Sequence, residues 1–299
     1  MGGAAPPILF LERKLFMPVI RISVPEDIPV QRELWALAFG DAGAYVDNFY
    51  ENYYRPERVL VLEENGIVRA MTAWFDTSLA VPGRKPLRAA YLYAVATHPD
   101  VRGRGFSGQL LSWADEHFRS LGFDAVTTVP AQPSLHQFFA RNGFQECFTH
   151  DQQIVALADR THSPFFVLDP LSPERYGELR ELLLADLPHI SYPLDVLTYQ
   201  AGCCHVSGGG LYAADTGYGL ALLCAEGTED GRLLLKELLG MPEAQHALLA
   251  ALPALLPNFS GIYRIPGEKV PFGMLKILNK PERNGWNWQS NAYLGLAFD

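Results

Sequence analysis

Apolar and polar residues along this chain follow two different periods. "PVIRISV" (residues 18–24) carries apolar residues at alternate positions and reads as a strand. "PEDIPVQRELWALAFGD" (25–41) opens with proline and acids, then repeats apolar residues at helical spacing. "AYVDNFYENYY" (44–54) puts Tyr45, Phe49 and Tyr53 on one stripe of a second helix. Residues 58–76 read as two strands joined by an Asn-Gly turn, and 87–99 as a long strand. A helix follows over 105–121, with Leu110, Leu111, Ala114 and Phe118 inward and Gly122 past its end. A strand (123–129) and a short helix (133–144) complete this run. The helix between the strands at 87–99 and 123–129 predicts that those two run parallel.

The pattern breaks in the polar stretch "ALADRTHSP" (156–164), which marks a domain boundary. It then begins again with a strand in "FFVLDPL", an acid-rich helix in "SPERYGELRELLLADL", and strands at 211–215, 219–225 and 232–239. A helix at 242–256 and strands near 260–265, 273–278 and 292–298 follow. The expected class is α/β with a mixed sheet, built from a duplicated and diverged unit. Its parts are an N-terminal extension (1–16), a first domain (17–157) and a second domain (165–299). A second domain of a different α+β type is the alternative.

Composition narrows the function. The chain has 299 residues, 48% hydrophobic, and a formal net charge of −9. Such acidity disfavours nucleic acid as a partner, so a local basic cluster has a local purpose. No apolar run reaches the ~18 residues of a membrane span, and residues 1–22 lack the form of a secretory signal. Cys147, Cys203, Cys204 and Cys224 have neither CxxC spacing nor disulfide density, which fits reduced thiols in a cytoplasmic protein. Vicinal Cys203-Cys204 next to His205 has no second cluster to complete a metal site, and no metal is expected.

The basic cluster is "VATHPDVRGRGFSGQLLSWADEHF" (95–118), with Arg102-Gly103-Arg104-Gly105 between a strand and a helix. The first NH groups of a helix lack intrahelical acceptors, glycines let the backbone close on an anion, and arginines add forked donors. Strand, glycine-rich turn and helix make a phosphate cradle. No GxxxxGK[ST] run is present, and the strand comes too late in the chain for an opening dinucleotide unit. The Gly208-Gly209-Gly210 run has no helix after it and reads as a turn.

Residues 95–108 resemble the pyrophosphate loop of the GNAT superfamily of N-acetyltransferases. That family's pattern is Gln/Arg-x-x-Gly-x-Gly/Ala, and Arg102, Gly105 and Ser107 fall on its positions. "FFARNGF" (138–144) matches the family's fourth helix and closing Gly-Phe. The resemblance covers about 18–150, and 165–299 is similar to a second, degenerate GNAT-type domain. The pair resembles tandem-GNAT acetyltransferases, including the first two domains of the enhanced-intracellular-survival type.

The resemblance implies acetyl-CoA as acyl donor and a primary amine of a small molecule as acceptor. It puts the backbone of Val95, Ala96 and Thr97 along the pantetheine arm, and Arg102, Gly103, Arg104, Gly105, Phe106 and Ser107 around the pyrophosphate. The family's proton-donating tyrosine falls on Phe139, which has no proton to give, and no carboxylate base is evident around Arg88, Ala89 and Ala90. Tyr93 and His136 are the catalytic candidates, with Tyr91 and His98 as others. In the enhanced-intracellular-survival type the C-terminal carboxylate enters the site, and here that residue is Asp299. The acceptor is expected near Trp35, Phe39, Asp41, Tyr45, Asp47, Phe49 and Glu51. The second domain's equivalent loop, Gly240-Met241-Pro242-Glu243, suits no cofactor, and Glu237 before it is expected to face the acceptor cleft. The alternative reading is a non-catalytic acyl-CoA-binding sensor. A homo-oligomer is compatible with either.

Overall fold

The computed structural model describes residues 17–41, 43–155, 165–228, 230–279, 285–287 and 291–298. The extension 1–16, the boundary 156–164 and Asp299 lie outside the described residues.

The first half runs β1 (Val19–Ile22), α1 (Ile28–Phe39), α2 (Gly43–Asn48, continued by a wide turn over Phe49–Tyr53), β2 (Val59–Glu64), β3 (Ile67–Ala80) and β4 (Leu87–Thr97). Then come α3 (Phe106–Ser120), β5 (Ala125–Thr128), α4 (Pro133–Arg141) and β6 (Gln145–Ile154). The second half runs β7 (Asp169–Pro170), α5 (Pro173–Leu183), β8 (His189–Ser191), α6 (Leu194–Val206), β9 (Gly210–Asp215), β10 (Leu220–Gly227) and β11 (Leu233–Gly240). It closes with α7 (Pro242–Leu255), β12 (Phe259–Pro266) and β13 (Val270–Ile277). Apart from β8, which pairs with β3, and the direct step from β12 to β13 where the first half inserts α4, the second half repeats the element order of the first.

All other strands join in one sheet of order β1-β2-β3-β4-β5-β13-β6-β12-β11-β10-β9-β7. The middle of this order shows an exchange. β13 of the second half lies between β5 and β6 of the first, and β6 lies between β13 and β12 of the second. Each half therefore completes the other's sheet. As expected, β4 and β5 are parallel (Ala89↔Ala125 to Leu92↔Thr128), and β11 with β12 repeats that parallel pair.

Local rules explain the ends of elements. α1 stops at Gly40, whose φ of 73° is the left-handed cap. The Asn65-Gly66 hairpin has both residues at positive φ (55° and 77°), as a type I′ turn requires. Alternation along β4 splits its side chains between two cores. Ala90 and Leu92 pack under α3 and α4 with Phe106, Leu110, Phe118 and Phe139. Tyr91 and Tyr93 face the opposite side, where one apolar cluster runs from α1 and α2 into α5 and α6.

Three expectations change. "FFVLDPL" gives only the two-residue β7, because its apolar residues Phe165 and Val167 are exposed. Residues 292–298 form single bridges, Ala292 to Phe148 and Tyr293 to His189, not a full strand. The buried helix α6 and the short β8 had no counterpart in the sequence pattern.

Candidate active site

The site begins where β4 loses a neighbour. β5 pairs with it only as far as Leu92↔Thr128, while β4 continues to Thr97 along β3. The β3–β4 register slips between Met71↔Ala96 and Ala73↔Tyr93, and Ala94 in the slip has φ 50°. That is a bulge, which bends the strand and re-aims its backbone. Val95, Ala96 and Thr97 thus lie on a strand edge with no strand against them on the β5 side.

The chain then turns through Pro99–Val101 into α3. Gly103 (φ 78°) and Gly105 (φ 79°) hold left-handed conformations that a side chain would strain. The backbone NH groups of Gly103, Gly105, Phe106, Ser107 and Gly108 donate to no backbone carbonyl, and the first intrahelical bond is Gln109 NH to the Gly105 carbonyl. These donors and the dipole of a 15-residue helix suit an anion. The Ser107 hydroxyl lies 2.8 Å from that of Thr97, tying helix start to strand end. Arg102 Nε donates to the Thr97 carbonyl (3.2 Å). The Arg104 guanidinium forks onto Glu64 and lies 4.6 Å from the Phe106 ring. The spacing Gly103-x-Gly105-x-x-Gly108 also fits a dinucleotide fingerprint, and β4, α3 and the parallel β5 form a βαβ unit, but the surrounding sheet is mixed, with β4 antiparallel to β3.

Tyr93 precedes the bulge and points to the α1–α2 face, among the rings of Trp35 (5.2 Å), Phe75 (5.0 Å) and Phe298 (5.7 Å). Its hydroxyl lies 3.0 Å from that of Tyr199 on α6. Burial raises the pKa of both phenols well above the usual value, so both are neutral at pH 7. Asp41 accepts from the Trp35 indole (2.6 Å), whereas Asp47 is paired with Arg32 (2.6 Å). Trp35 and Phe49 are core residues, Phe39 is exposed, and Glu51 is on the surface.

The structure does not bring His136 to Tyr93. α4 packs on the other face of the sheet, and His136 Nδ1 lies 2.7 Å from Glu146 on β6. Phe139 is packed against Phe144 in that core. His98 accepts from the Asp100 NH and caps its own turn. Tyr91 is buried in the α1–α2 cluster. Glu237 corrects an expectation: it is fully buried, bound by Arg180 Nε (2.9 Å) and the Tyr176 hydroxyl (2.7 Å), and faces no cleft. Only Met241 links β11 to α7, and Pro242 at the helix start has no NH, so this turn does not repeat the glycine-rich turn at α3. Among the described residues, no group of three or more His, Cys, Asp or Glu is placed to hold a metal.

Residues 19–146 match the family model of an acetyltransferase (GNAT) domain. Over those residues the chain is similar to a GNAT domain. Solved structures extend that fold across both halves. A GCN5-related N-acetyltransferase from Kribbella flavida aligns over 89% of this chain and 72% of its own, at 17% identity and a TM-score of 0.65. Eis1 from Mycobacterium abscessus aligns over 87% and 74%, at 12% identity and a TM-score of 0.61. A putative acetyltransferase from Pyrococcus horikoshii aligns over 90% and 94%, at 14% identity and a TM-score of 0.55. No curated protein sequence resembles this one at a significant level. The chain thus shares its fold, over both halves, with these acetyltransferase structures.

Two residues beside Tyr93 come from the second half and were not read from sequence as site residues: Tyr199 and Phe298. Phe298 had a signal, since it lies next to Asp299. Tyr199 had none, because α6 is buried on several sides and shows no polar stripe.

Proposed function

We propose that the protein is an N-acetyltransferase that moves an acetyl group from acetyl-CoA to a primary amine of a small molecule by direct attack. The observation that carries this is the continuity of the α3 cradle with the free edge of β4. Five NH donors on and after two left-handed glycines suit a diphosphate, and the unpaired edge of Val95, Ala96 and Thr97 suits a pantetheine arm that runs like an added strand. Arg102 and Arg104 supply charge at the mouth. Backbone NH groups on the bulged edge would polarise the thioester carbonyl. The two units are taken as 17–157 and 165–299, in a cytoplasmic protein that uses no metal.

Acyl transfer also needs proton traffic, because the amine must lose a proton and the thiolate gains one. Tyr93 is the proton-bearing group on the acceptor face next to the bulge. Asp41, held by Trp35 at the rim of the same aromatic cluster, supplies a carboxylate for the incoming ammonium, and the rings suit an amine on an apolar body.

Phe139 favours a second reading, a non-catalytic acyl-CoA sensor, since α4 offers only a buried phenyl ring where relatives carry a phenol. Calorimetric titration with acetyl-CoA tests both, on the native chain and on Arg102→Ala/Arg104→Ala. Micromolar binding weakened tenfold or more by the double change (~1.4 kcal/mol) supports the cradle. Release of free CoA with an amine then selects the enzyme over the sensor. No binding by the native chain ends both readings.

A further inference from the structure

The GNAT fold of the first half leaves Tyr93 as a buried phenol that needs a partner, and the second half brings one. α6 is docked tightly on α2. A side chain at Gly202 would run into Asn48, and Asn48 Nδ2 in turn donates to the Tyr199 carbonyl (3.1 Å) and to Cys203 Sγ (3.3 Å). This seat fixes the Tyr199 ring, which stacks on Phe75 (5.6 Å, 29°) and lies 5.4 Å from Phe298. Its hydroxyl lies 3.0 Å from Tyr93 Oη, with Cys203 also beside it.

Two neutral phenols hold two protons, and one hydrogen bond between them uses only one. The phenol that accepts keeps its own proton for something else. The Tyr45 hydroxyl adjoins the pair and is buried, yet forms no well-aligned hydrogen bond. A buried polar cluster with unspent hydrogen-bonding capacity costs stability unless something meets it. Here that cluster includes Tyr93, the residue of β4 just before the bulge where the strand edge opens.

We propose that Tyr199 is a positioning residue for acyl transfer: by donating to Tyr93 Oη, it turns the Tyr93 O–H toward the open edge of β4 and steadies the oxygen once that proton has left. This rests on the acetyltransferase reading. The step balances as follows. The incoming ammonium first gives one proton to solvent; the neutral amine nitrogen then bonds to the thioester carbon, and the C–S electron pair leaves with sulfur. The Tyr93 proton passes to that sulfur, and the proton lost by the nitrogen returns to Tyr93 oxygen. Tyr199 keeps its own proton throughout, and the products are amide and free CoA thiol. The active site is then shared between the halves, so the second GNAT fold, which lacks its own cradle, is needed for the chemistry of the first.

The test uses the full chain labelled with tyrosine carrying 13C at the phenol carbon. Signals of Tyr93 and Tyr199 are assigned by their loss in Tyr93→Phe and Tyr199→Phe. Addition of acetyl-CoA should shift both signals in the native chain, and the Tyr199 shift should vanish in Tyr93→Phe. In steady state, with 2-phenylethylamine and spermidine as probe amines, Tyr199→Phe should lower kcat about tenfold or more and leave KM for acetyl-CoA unchanged. Tyr93→Phe/Tyr199→Phe should be no slower than Tyr93→Phe alone, because one residue acts through the other. Acetyl-CoA binding with neither signal moving overturns the proposal and leaves the cofactor reading standing, as do rate losses that multiply. If acetyl-CoA does not bind, the acetyltransferase reading falls and takes this one with it. If neither probe amine reacts, the carbon signals decide.

Discussion

Lys276 on β13 reaches across the exchanged strand to bond Asp115 on α3, and the same ammonium donates to the Asn142 carbonyl at the end of α4 (2.6 Å). A side chain from the second half thus fastens both helices that cover the cradle side of the first. Both partners are mostly buried, at 17% and 12% side-chain exposure. Lys276→Met should leave Asp115 as an unpaired, half-buried carboxylate and cost about 3 kcal/mol. Lys276→Met/Asp115→Leu should recover most of that. Urea unfolding of the three chains measures it, and equal stability of both variants would contradict the account.

The buried ion pair of Arg180 and Glu237 has a different role. Arg180 also donates to the carbonyls of Ile190 (2.7 Å) and Leu294 (3.2 Å), so it binds β8 and the last described segment to α5. Gly295 passes against both charges with φ 74°, and a methyl there would collide with Glu237 and Arg180. Gly295→Ala should cost about 3 kcal/mol or more, through strain and a broken buried pair. It should also displace Phe298 from Phe75, now at 4.4 Å, and so lower acetyl transfer. Thermal unfolding with activity on the surviving fold separates the two effects.

Arg104 is committed to Glu64 before any anion arrives. A diphosphate must compete with that carboxylate. Glu64→Gln should therefore tighten acetyl-CoA binding by about two- to fivefold, the scale of one exposed ion pair. The gain should shrink at high salt, because exposed charges are screened. Weaker binding in Glu64→Gln would mean that Glu64 orients the loop and does not compete with the ligand.

Asp27 reports on acid stability. Burial alone pushes its carboxyl up, but bonds from Arg21 (2.6 Å and 2.9 Å) and the Val24 NH (2.9 Å) outweigh this and hold it below the usual carboxylate value. A depressed carboxylate contributes stability above its unfolded pKa of about 3.9 and loses it as pH falls through the lower folded value. Asp27→Asn should melt below the native chain at pH 7. The gap should close as both are taken from pH 4 to pH 2.5. A gap that stays constant across that range would rule out this origin.

Much of the first half was legible because its signals are local. The Asn65-Gly66 turn, the cap at Gly40 and the glycines at 103 and 105 each need a backbone conformation that few residues adopt, so residue type reports on structure directly. The alternation along β4 likewise sorts its side chains to two faces before any partner is known. α6 was not legible, because Tyr199, Cys203 and Cys204 are all fully buried and leave no polar face to set a helical period.

The sequence alone determined most elements of the first half and the glycine-rich turn at the start of α3. These follow from short-range periods and from the chemistry of glycine, arginine and free NH groups. Tertiary structure decided the rest. The exchange of β6 and β13 depends on which strand edges meet across more than a hundred residues, and no local pattern encodes that choice. The pairing of Tyr93 with Tyr199 has the same origin, since a hydrogen bond between residues 106 positions apart exists only once the two halves are packed.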